Sequence, residues 1–401
     1  MRIAVYSDQF FPELSGVTDS LITTGEALRS KGHEVLYVAP RYSRHDYSAV
    51  QPKNAATGTA YAERQNLPVC HIPSIGIPGS PNGQARLAFP IGTTLKTVRR
   101  FRPDIIHTHQ PFGVGVEAFF ASRLLGVPLV GTNHTPIEQY IRGPSFLKPV
   151  LTWIARRFYA WYYNRCTYVS APYPGLIADM REVGLTSAAG VVFNPVPLDL
   201  YTPGDDIARN EAKEKIGVSG PVVLYAGRLS PEKHIDVIIR AISELAQEEV
   251  PVTLVLAGHG SARTSLVTLT HELNLTARVR FLGFVDPIEL ARVYRAADVF
   301  SIASTAETFS LVLMQAYASG LPAIVTDSGA LPHYAPPDCS QVVPVSDFRA
   351  FATSIRMFLG HKNQDHTRAV ARAYVARFAP KAVAEHWVKI YRQVLAGETP
   401  D

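Results

Sequence analysis

Residues 222–234 read Val-Val-Leu-Tyr-Ala-Gly-Arg-Leu-Ser-Pro-Glu-Lys-His, and this stretch decides the fold class. The apolar run Val222–Ala226 is typical of a strand that is buried on both faces, and Gly227 and Arg228 begin the turn that follows it. A strand that passes through a short turn into a helix is the repeating unit of a parallel sheet. The stretch therefore predicts an α/β protein.

The same alternation of apolar strand and amphipathic helix extends in both directions from this stretch. Helices predicted along the chain include Ser20–Ser30, Val114–Leu125 and Phe146–Asn164. Two consecutive series of strands predict two Rossmann-like, doubly wound domains that face each other across a cleft. The further strands are predicted at Arg2–Ser7, Glu34–Ala39, Asp104–Thr108, Pro128–Thr132 and Thr167–Ala171 in the first series, and at Thr253–Ala257, Arg278–Phe281, Val299–Ile302 and Ala323–Val325 in the second.

A proline-rich segment separates the two series. Residues 194–204 contain Pro195, Pro197 and Pro203, as an interdomain linker would. We predict domains over residues 1–198 and 199–380, and a final amphipathic helix within 381–401 that packs back on the first domain. Because ligands of doubly wound sheets bind beyond the carboxyl ends of the strands, the turns at those ends hold the candidate site.

Length and composition limit the class of protein. The 401 residues exceed what one hydrophobic core supports, and 47% hydrophobic with 18% charged residues excludes a mostly disordered chain. No run reaches the roughly 18 apolar residues of a membrane-spanning helix, and the first residues enter a strand pattern that leaves no room for a secretory signal. Cys70, Cys166 and Cys339 stand far apart, which indicates neither a disulfide framework nor a zinc site. We therefore expect a cytoplasmic protein.

Positive charge is concentrated in the first half of the chain. Residues 1–200 carry 19 Lys and Arg against 13 Asp and Glu, whereas residues 201–401 carry 20 against 21. The excess comes from two windows without acidic residues, 64–103 and 139–178. The first half is therefore expected to attract anions, whether phosphates, an anionic lipid surface or nucleic acid.

Two strand-to-helix turns carry candidate anion-binding residues. Ser15 and Gly16 precede the first helix of the chain, where backbone N–H groups can approach an anion. An ordinary tight turn with Gly16 at positive φ fits the local sequence equally well. Arg228 and Lys233 flank the turn after Val222–Ala226 and can both reach one diphosphate, although isolated cations of this kind are usually solvated.

A third turn contains Glu307. Ser310, Leu311 and Val312 open the helix that follows, and its N–H groups can bind phosphate oxygens. Gln315 lies two helical turns beyond Glu307 and is expected to face the same site. A carboxylate before a helix is more often a cap than a catalytic group.

Two histidines on one predicted strand suggest a metal site. His107 and His109 are separated by one residue and therefore point to the same face of the sheet. The sequence offers no third ligand, so a structural role is the better interpretation. No Asp-x-Asp triplet occurs in the chain, which fits a reaction that needs no metal ion.

The motifs, taken in order, resemble those of family-four retaining glycosyltransferases of the GT-B fold. Each motif alone is weakly specific, but their order and spacing cover nearly the whole chain. The resemblance implies transfer of a hexose from a nucleotide sugar, with UDP-glucose or a similar UDP-hexose as the expected donor. The motifs are Ser15-Gly16-Val17, the segment 103–109, Asn133-His134-Thr135, the segment 194–201, Gly227-Arg228-Leu229 with Glu232-Lys233, and the segment 307–322.

The resemblance also implies residue roles. Arg228 and Lys233 match the basic pair that neutralises the donor diphosphate, and His134 matches a cleft histidine near the hexose and the leaving phosphate. Glu307 matches the first acid of an E-x7-E motif, which binds hexose hydroxyls. The remaining donor-binding positions are Gly16 at the phosphates, Val285 near the nucleobase, the helix start Ser310, Leu311 and Val312, and Gln315 at the ribose.

Gln315 departs from the family pattern, which has a second glutamate at this position. An amide offers one acceptor oxygen and an N–H₂ group without charge, so donor affinity or nucleotide preference is expected to differ. A non-catalytic binding module is therefore an alternative. In the enzyme interpretation, Arg228, Lys233 and helix N-termini neutralise the leaving diphosphate, so neither a metal ion nor a cofactor is expected. Retention is expected through front-face attack, with the leaving phosphate assisting deprotonation of the acceptor.

The window 146–165 mixes aromatic and basic residues at helical spacing, which fits a helix at an anionic membrane surface. The predicted acceptor or membrane face consists of Lys148, Trp153, Arg156 and Arg157, to which Lys96–Arg102 adds charge. In the ordinary alternative, half of these aromatics face the core. Similarity to the diacylglycerol and phosphatidylinositol branch of the family favours a lipid acceptor at the inner face of the membrane; a soluble sugar or polyol is the alternative.

Two other classes fit parts of the sequence. A nucleic-acid binder would use the basic half, but no RNP, zinc or helix-turn-helix pattern occurs, so no nucleic-acid partner is expected. A sugar-nucleotide epimerase of similar two-domain architecture would convert the sugar without an acceptor, and product analysis distinguishes it from a transferase.

Overall fold

Two compact units make up the chain. The computed structural model describes residues 1–13, 15–49, 64–77, 84–137, 147–360 and 364–400. The first unit comprises Met1–Pro195 together with Pro380–Asp401, and the second comprises Val196–Ala379. The break after Pro195 lies inside the proline-rich segment, and the last helix belongs to the first unit.

The first unit is built on a seven-stranded parallel sheet with strand order β3-β2-β1-β6-β7-β8-β9. The order reverses between β1 and β6, which is where doubly wound sheets bind ligands. The strands are Arg2–Tyr6 (β1), Glu34–Pro40 (β2), Val69–Ile72 (β3), Ser74–Gly76 (β4), Arg86–Ala88 (β5), Ile105–Thr108 (β6), Leu129–Thr132 (β7), Tyr168–Ala171 (β8) and Ala189–Val191 (β9), of which β4 and β5 form a separate antiparallel pair. The helices are Gly16–Ser30 (α1), Arg44–Ala49 (α2), Leu95–Phe101 (α3), Gly113–Leu125 (α4), Lys148–Tyr163 (α5) and Pro174–Glu182 (α6).

The turn after β1 leads directly into α1. Ser15 is the N-cap of the helix, and its hydroxyl accepts a hydrogen bond from the backbone N–H of Thr18. Gly16 is the first residue of the helix and is not at positive φ. The alternative prediction of a positive-φ turn at Gly16 was therefore wrong, because the helix begins earlier than the predicted Ser20.

The second unit repeats the design with a six-stranded parallel sheet in the order β12-β11-β10-β13-β14-β15. Its order reverses between β10 and β13. The strands are Val222–Ala226 (β10), Thr253–Ala257 (β11), Val279–Gly283 (β12), Val299–Ile302 (β13), Ala323–Thr326 (β14) and Ser340–Val343 (β15). The helices are Asp206–Lys215 (α7), Ile235–Gln247 (α8), Arg263–Glu272 (α9), Pro287–Ala296 (α10), Leu311–Ala318 (α11), Phe348–Leu359 (α12) and Gln364–Val375 (α13).

The carboxyl-terminal helix Pro380–Ala396 (α14) packs into the core of the first unit. Val383, Trp387 and Tyr391 on this helix are buried in the same cluster as side chains of β1 and α1. An ion pair of 2.6 Å between Lys31 Nζ and Glu385 Oε1 lies at the edge of the contact. The predicted α/β class with two Rossmann-like, doubly wound domains is confirmed.

Candidate functional site

An ion pair stands at the carboxyl ends of β10 and β13 in the second unit. Lys233 lies in a short 3₁₀ helix after β10, and Glu307 lies in the loop after β13. Lys233 Nζ is 2.6 Å from Glu307 Oε1 and 3.4 Å from the hydroxyl of Ser304. Both charged side chains are only 13% exposed, so the fold brings two predicted site residues together in a largely desolvated position.

Arg228 lies at the same sheet edge but is exposed to solvent. Its guanidinium contacts the carboxylate of Glu232 at 3.2 Å, and its backbone carbonyl accepts a hydrogen bond from the hydroxyl of Tyr225. The backbone at Gly258 packs closely against this turn, because a Cβ at position 258 would lie 1.8 Å from the carbonyl oxygen of Gly227. Sequence reasoning missed this close approach, although a glycine directly after β11 was a signal for it.

The N-terminus of α11 completes the cluster in the second unit. Ser310 is the N-cap, and its hydroxyl accepts a hydrogen bond from the N–H of Leu313. The alternative in which Glu307 caps this helix was therefore wrong. The first N–H groups of the helix, at Leu311 and Val312, carry the positive end of the helix dipole.

Gln315, one turn into α11, is held by a buried tyrosine. The hydroxyl of Tyr294 lies 3.3 Å from Gln315 Oε1 and 2.8 Å from the carbonyl oxygen of Val312. Its single proton is therefore shared between these two acceptor oxygens. Val285 lies at another strand end, two residues beyond β12 and next to Phe284, which is 66% exposed. The donor-binding roles of Gln315 and Val285 stay predictions.

In the first unit, His134 lies just beyond the carboxyl end of β7. It is 5% exposed, and its Nε2 is 2.9 Å from Nδ1 of His109, which follows β6. Burial lowers the pKa of His134 to about 4 and that of His109 well below its usual range. Both imidazoles are therefore neutral at pH 7.

His107 belongs to the same buried cluster. Its Nδ1 is 2.7 Å from the hydroxyl of Tyr391 and its Nε2 is 2.8 Å from the hydroxyl of Thr132. The rings of His107 and His109 lie 4.1 Å apart, and burial lowers the pKa of His107 to about 3. In the part of the chain that the structure describes, no three His, Cys, Asp or Glu side chains form a set that could hold a metal ion.

Sequence reasoning missed a pair of buried carboxyl groups in the turn between β1 and α1. Asp8 accepts hydrogen bonds from the N–H groups of Val114 and Gly115 at the start of α4. Glu13 accepts one from the hydroxyl of Tyr42 at 3.2 Å and one from a side-chain amide. Burial raises the pKa of each carboxyl group to about 7.

The helix α5 has one buried and one exposed face. Tyr159, Tyr162 and Tyr163 are buried in the core, which agrees in part with the ordinary interpretation of this window. The predicted face is exposed, and the guanidinium of Arg157 lies 5.3 Å from the ring centre of Trp153. Its predicted members, all exposed, are Lys148, Trp153, Arg156 and Arg157. Phe146, which opens the predicted window, lies outside the described residues, and no helix in the described ranges has the length and apolarity to cross a membrane.

Two family models match the chain. The model described as Glycosyltransferase Family 4 matches residues 14–200, and the model described as Glycosyl transferases group 1 matches residues 206–375. Between them, the models span both units and the strand ends described above. The chain is therefore an enzyme, a glycosyltransferase of the GT-B type, the class that transfers a sugar from a nucleotide sugar.

Relatives and solved structures agree with this class. The chain is 38% identical over 369 residues to a D-inositol 3-phosphate glycosyltransferase of Corynebacterium efficiens, covering 83% of this chain and 80% of that protein. It belongs to the family-four glycosyltransferases, as the motif order predicted. It is 28% identical to a GDP-mannose-dependent alpha-mannosyltransferase of Mycobacterium tuberculosis, covering 95% of this chain and 93% of that protein. It is 26% identical to an alpha-monoglucosyldiacylglycerol synthase of Streptococcus pneumoniae, covering 81% of this chain and 70% of that protein.

The fold is similar to that of Anabaena Alr3699/HepE in complex with UDP, with a TM-score of 0.77 and 20% identity. The match covers 98% of this chain and 100% of that chain.

Proposed function

We propose that the protein is a retaining hexosyltransferase that moves glucose from UDP-glucose to a hydroxyl group of a membrane lipid at the inner face of the membrane, without a metal ion. The donor half of the proposal rests on one observation, the desolvated pair of Lys233 and Glu307 beside the N-terminus of α11. A lysine, a carboxylate and a row of helix N–H groups are what a diphosphate attached to a hexose requires.

In the proposed reaction, the acceptor hydroxyl attacks the anomeric carbon from the face that the diphosphate leaves. The bond between that carbon and the diphosphate oxygen breaks, its electron pair stays with the diphosphate, and the hydroxyl proton passes to a phosphate oxygen. Arg228, Lys233 and the N–H groups of α11 stabilise the negative charge that develops. The proposed role of Glu307 is to bind hexose hydroxyls, and His134 and the helix start at Gly16 are proposed to bind phosphate oxygens.

The acceptor half rests on the exposed face of α5. Trp153 is 61% exposed and Ile154 is 52% exposed, beside Lys148, Arg156 and Arg157. Exposed aromatic and aliphatic side chains next to cations are typical of helices that lie in the interface of an anionic bilayer. The name of the pneumococcal relative, an alpha-monoglucosyldiacylglycerol synthase, supports diacylglycerol as the acceptor and an α-linked product. An α-linked product from an α-linked donor means retention.

The test measures nucleotide release from UDP-glucose, GDP-mannose and ADP-glucose, with anionic liposomes that contain or lack diacylglycerol. We expect release from UDP-glucose that increases with diacylglycerol, gives an α-linked glycolipid and continues in EDTA. Release from GDP-mannose alone would overturn the donor, and equal release with D-inositol 3-phosphate and no liposomes would overturn the lipid acceptor. Conversion of the sugar without any acceptor would indicate an epimerase.

A further inference from the structure

The small antiparallel sheet of the first unit has two different faces. Its strands are β4 and β5, in which Ile75 is paired with Leu87, and Ser74 with Ala88. Neighbouring residues of a strand point to opposite faces of a sheet. Ile75 and Leu87 therefore lie on one face, called the outer face below. Ser74, Arg86 and Ala88 lie on the other, the inner face.

The inner face is attached to the rest of the unit. The hydroxyl of Ser74 donates to the carbonyl oxygen of Arg41 at 2.7 Å, and the guanidinium of Arg86 donates to the same oxygen at 2.9 Å. Arg86 also forms an ion pair of 3.2 Å with Asp46. Ala88 is buried in the same core cluster as side chains of α4. These contacts hold the small sheet with its outer face toward solvent.

Large apolar side chains cover the outer face. Ile75 is 54% exposed and Leu87 is 47% exposed. Ile77 and Phe89 follow them by two residues each, are also exposed, and extend the strand pairing through their backbone N–H groups. Ile91, beyond Phe89, is 68% exposed. Several large apolar side chains exposed side by side are typical of a surface that binds a partner or a membrane.

The chain beside this sheet is positively charged. The helix α3 begins four residues after Ile91, and its exposed Lys96, Arg99 and Arg100 have the spacing that places residues on one face of a helix. Residues 64–103 contain no Asp or Glu. Cations next to exposed apolar side chains complement an anionic bilayer, which offers negative head groups and apolar acyl chains. A second copy of this chain would bring the same positive charges and be repelled.

We propose that the outer face of the β4–β5 sheet, together with the cationic face of α3, is a docking surface for an anionic lipid bilayer. The apolar side chains enter the boundary between head groups and acyl chains, while Lys96, Arg99 and Arg100 bind lipid phosphates. Binding to a bilayer is a property of this surface and does not depend on the acceptor that the enzyme uses. The inference therefore goes beyond the proposed function.

This docking surface and the exposed face of α5 adjoin the same helix, α4. Glu117 of α4 accepts a hydrogen bond from the N–H of Thr94, directly before α3, at 3.1 Å. Further along α4, the ring of Phe119 lies 5.7 Å from that of Trp161 on α5. Two separate elements of one unit are thus available for membrane contact, and each requires its own test.

Paired substitutions test the apolar part of the surface. Ile75→Thr with Leu87→Thr removes two large apolar side chains and introduces a residue that favours strands. We expect binding to sedimented vesicles of phosphatidylglycerol and phosphatidylcholine, without diacylglycerol, to weaken about tenfold or more. The matched control is Ile207→Thr with Leu395→Thr, which removes one exposed isoleucine and one exposed leucine elsewhere in the chain. The control should bind as the wild type does.

A triple variant tests the charge. Lys96→Gln, Arg99→Gln and Arg100→Gln together should weaken binding to the phosphatidylglycerol vesicles about tenfold or more, because each cation near an anionic surface contributes to binding. Binding to vesicles of phosphatidylcholine alone should change little.

A fluorescent reporter tests insertion directly and does not require the paired variant to fold. In Leu87→Trp, the fluorescence added to that of the three native tryptophans should be quenched by vesicles with brominated acyl chains. Ile207→Trp, at an exposed position of the second unit, should not be quenched.

Unchanged vesicle binding by the paired variant, or an unquenched tryptophan at position 87, would overturn the inference. A wild-type dimer that the paired variant abolishes would also overturn it, because the outer face would then bind a second copy. The proposed function fails in a different way. If the wild type docks on diacylglycerol-free vesicles through this surface but transfers glucose only to a soluble acceptor, the docking surface is supported and the lipid acceptor is contradicted.

Discussion

Among single residues, Glu307 offers the most direct test of the site in the second unit. Glu307→Gln keeps the shape of the side chain but removes the negative charge that faces Lys233 at 2.6 Å. We expect transfer to fall by about 100-fold, because the amide offers one acceptor oxygen in place of two. The free energy of unfolding should fall by about 1–3 kcal/mol, because Lys233 is left as a largely buried charge without its partner.

Nucleotide release and urea unfolding measure the two effects. The matched control is Glu248→Gln, which removes the carboxylate of an exposed ion pair with Arg356 in the same unit. This control should cost less than about 1 kcal/mol and leave transfer unchanged. A Glu307→Gln variant that turns over as fast as the wild type would exclude Glu307 from hexose binding.

Gln315→Glu tests the departure from the E-x7-E pattern. The oxygen of Gln315 accepts a hydrogen bond from Tyr294, so only its amide N–H₂ group and the second lone pair remain for a ribose. A carboxylate adds an acceptor oxygen with negative charge, and we expect the Kd for UDP to decrease about tenfold in titration calorimetry. The control is Tyr294→Phe with the native Gln315 retained, and it should change the Kd for UDP less than Gln315→Glu does. An unchanged Kd in Gln315→Glu would mean that this side chain does not bind the ribose.

Glu13 predicts a pH dependence of stability. Burial raises the pKa of its carboxyl group to about 7, above the ordinary value of 4.5 that it regains on unfolding. The native state therefore binds more protons than the unfolded state between these values, and stability is lost as the pH rises through about 7. Glu13→Gln removes this loss. The free energy of unfolding of the variant, relative to that of the wild type, should therefore increase by about 2 kcal/mol from pH 5 to pH 8.

The difference between variant and wild type removes the contribution of the buried histidines, which is equal in both. It includes the mutual effect of the two buried carboxyl groups, because the charge of Glu13 raises the pKa of Asp8. Urea unfolding at the two pH values is the measurement, and Glu34→Gln, at an exposed position of the same unit, is the control. A constant difference between wild type and Glu13→Gln from pH 5 to pH 8 would show that the carboxyl group is not held protonated.

The site also shows which residues a sequence can reveal. Lys233 and Glu307 stand in recognisable turns, but their contact is set by the strand order β10-β13, which no local pattern contains. Asp8 and Glu13 were missed for a different reason. Each is an ordinary polar residue in the sequence, and only the burial that the fold imposes raises its pKa.

At the level of elements, the strands that are buried on both faces were the easiest to predict. Predictions for β10, β11 and β13 agree with the structure residue for residue, because such strands are continuous apolar runs. The strands β3, β4, β5, β9 and β15 were not predicted. They have three or four residues, and most of their positions are half-exposed or exposed, so their pattern is too short to distinguish from a loop.

The exposed face of α5 makes a prediction for membrane binding. Ile154→Ser together with Trp153→Ser removes two large apolar side chains that are exposed rather than buried in the core, so the fold should be unaffected. We expect binding to anionic liposomes to weaken about tenfold or more in a sedimentation assay. The matched control is Ile207→Ser, an isoleucine that is 71% exposed on α7 of the second unit. Equal binding by the double variant and the control would remove α5 from the membrane face.

At the level of the whole molecule, the two units carry different surfaces. The first unit carries 22 Lys and Arg against 15 Asp and Glu, whereas the second carries 17 Lys and Arg against 19 Asp and Glu. The residues proposed for nucleotide binding lie mainly in the second unit, and the exposed aromatic helix lies in the first. This distribution suggests that a water-soluble donor and a lipid surface are bound by different units.

Hydrogen exchange followed by mass spectrometry tests this division in the intact protein. UDP should slow exchange at the start of α11 and in the turn at Arg228, because phosphate oxygens accept hydrogen bonds from N–H groups that have no partner within the helix. Anionic liposomes should instead slow exchange in α5, and both ligands together should protect both segments. The double variant Trp153→Ser, Ile154→Ser should lose the liposome effect and keep the UDP effect. Protection of α7 or α9 in the second unit by liposomes would contradict the division, because it would put the lipid surface on the unit that is proposed to bind the nucleotide.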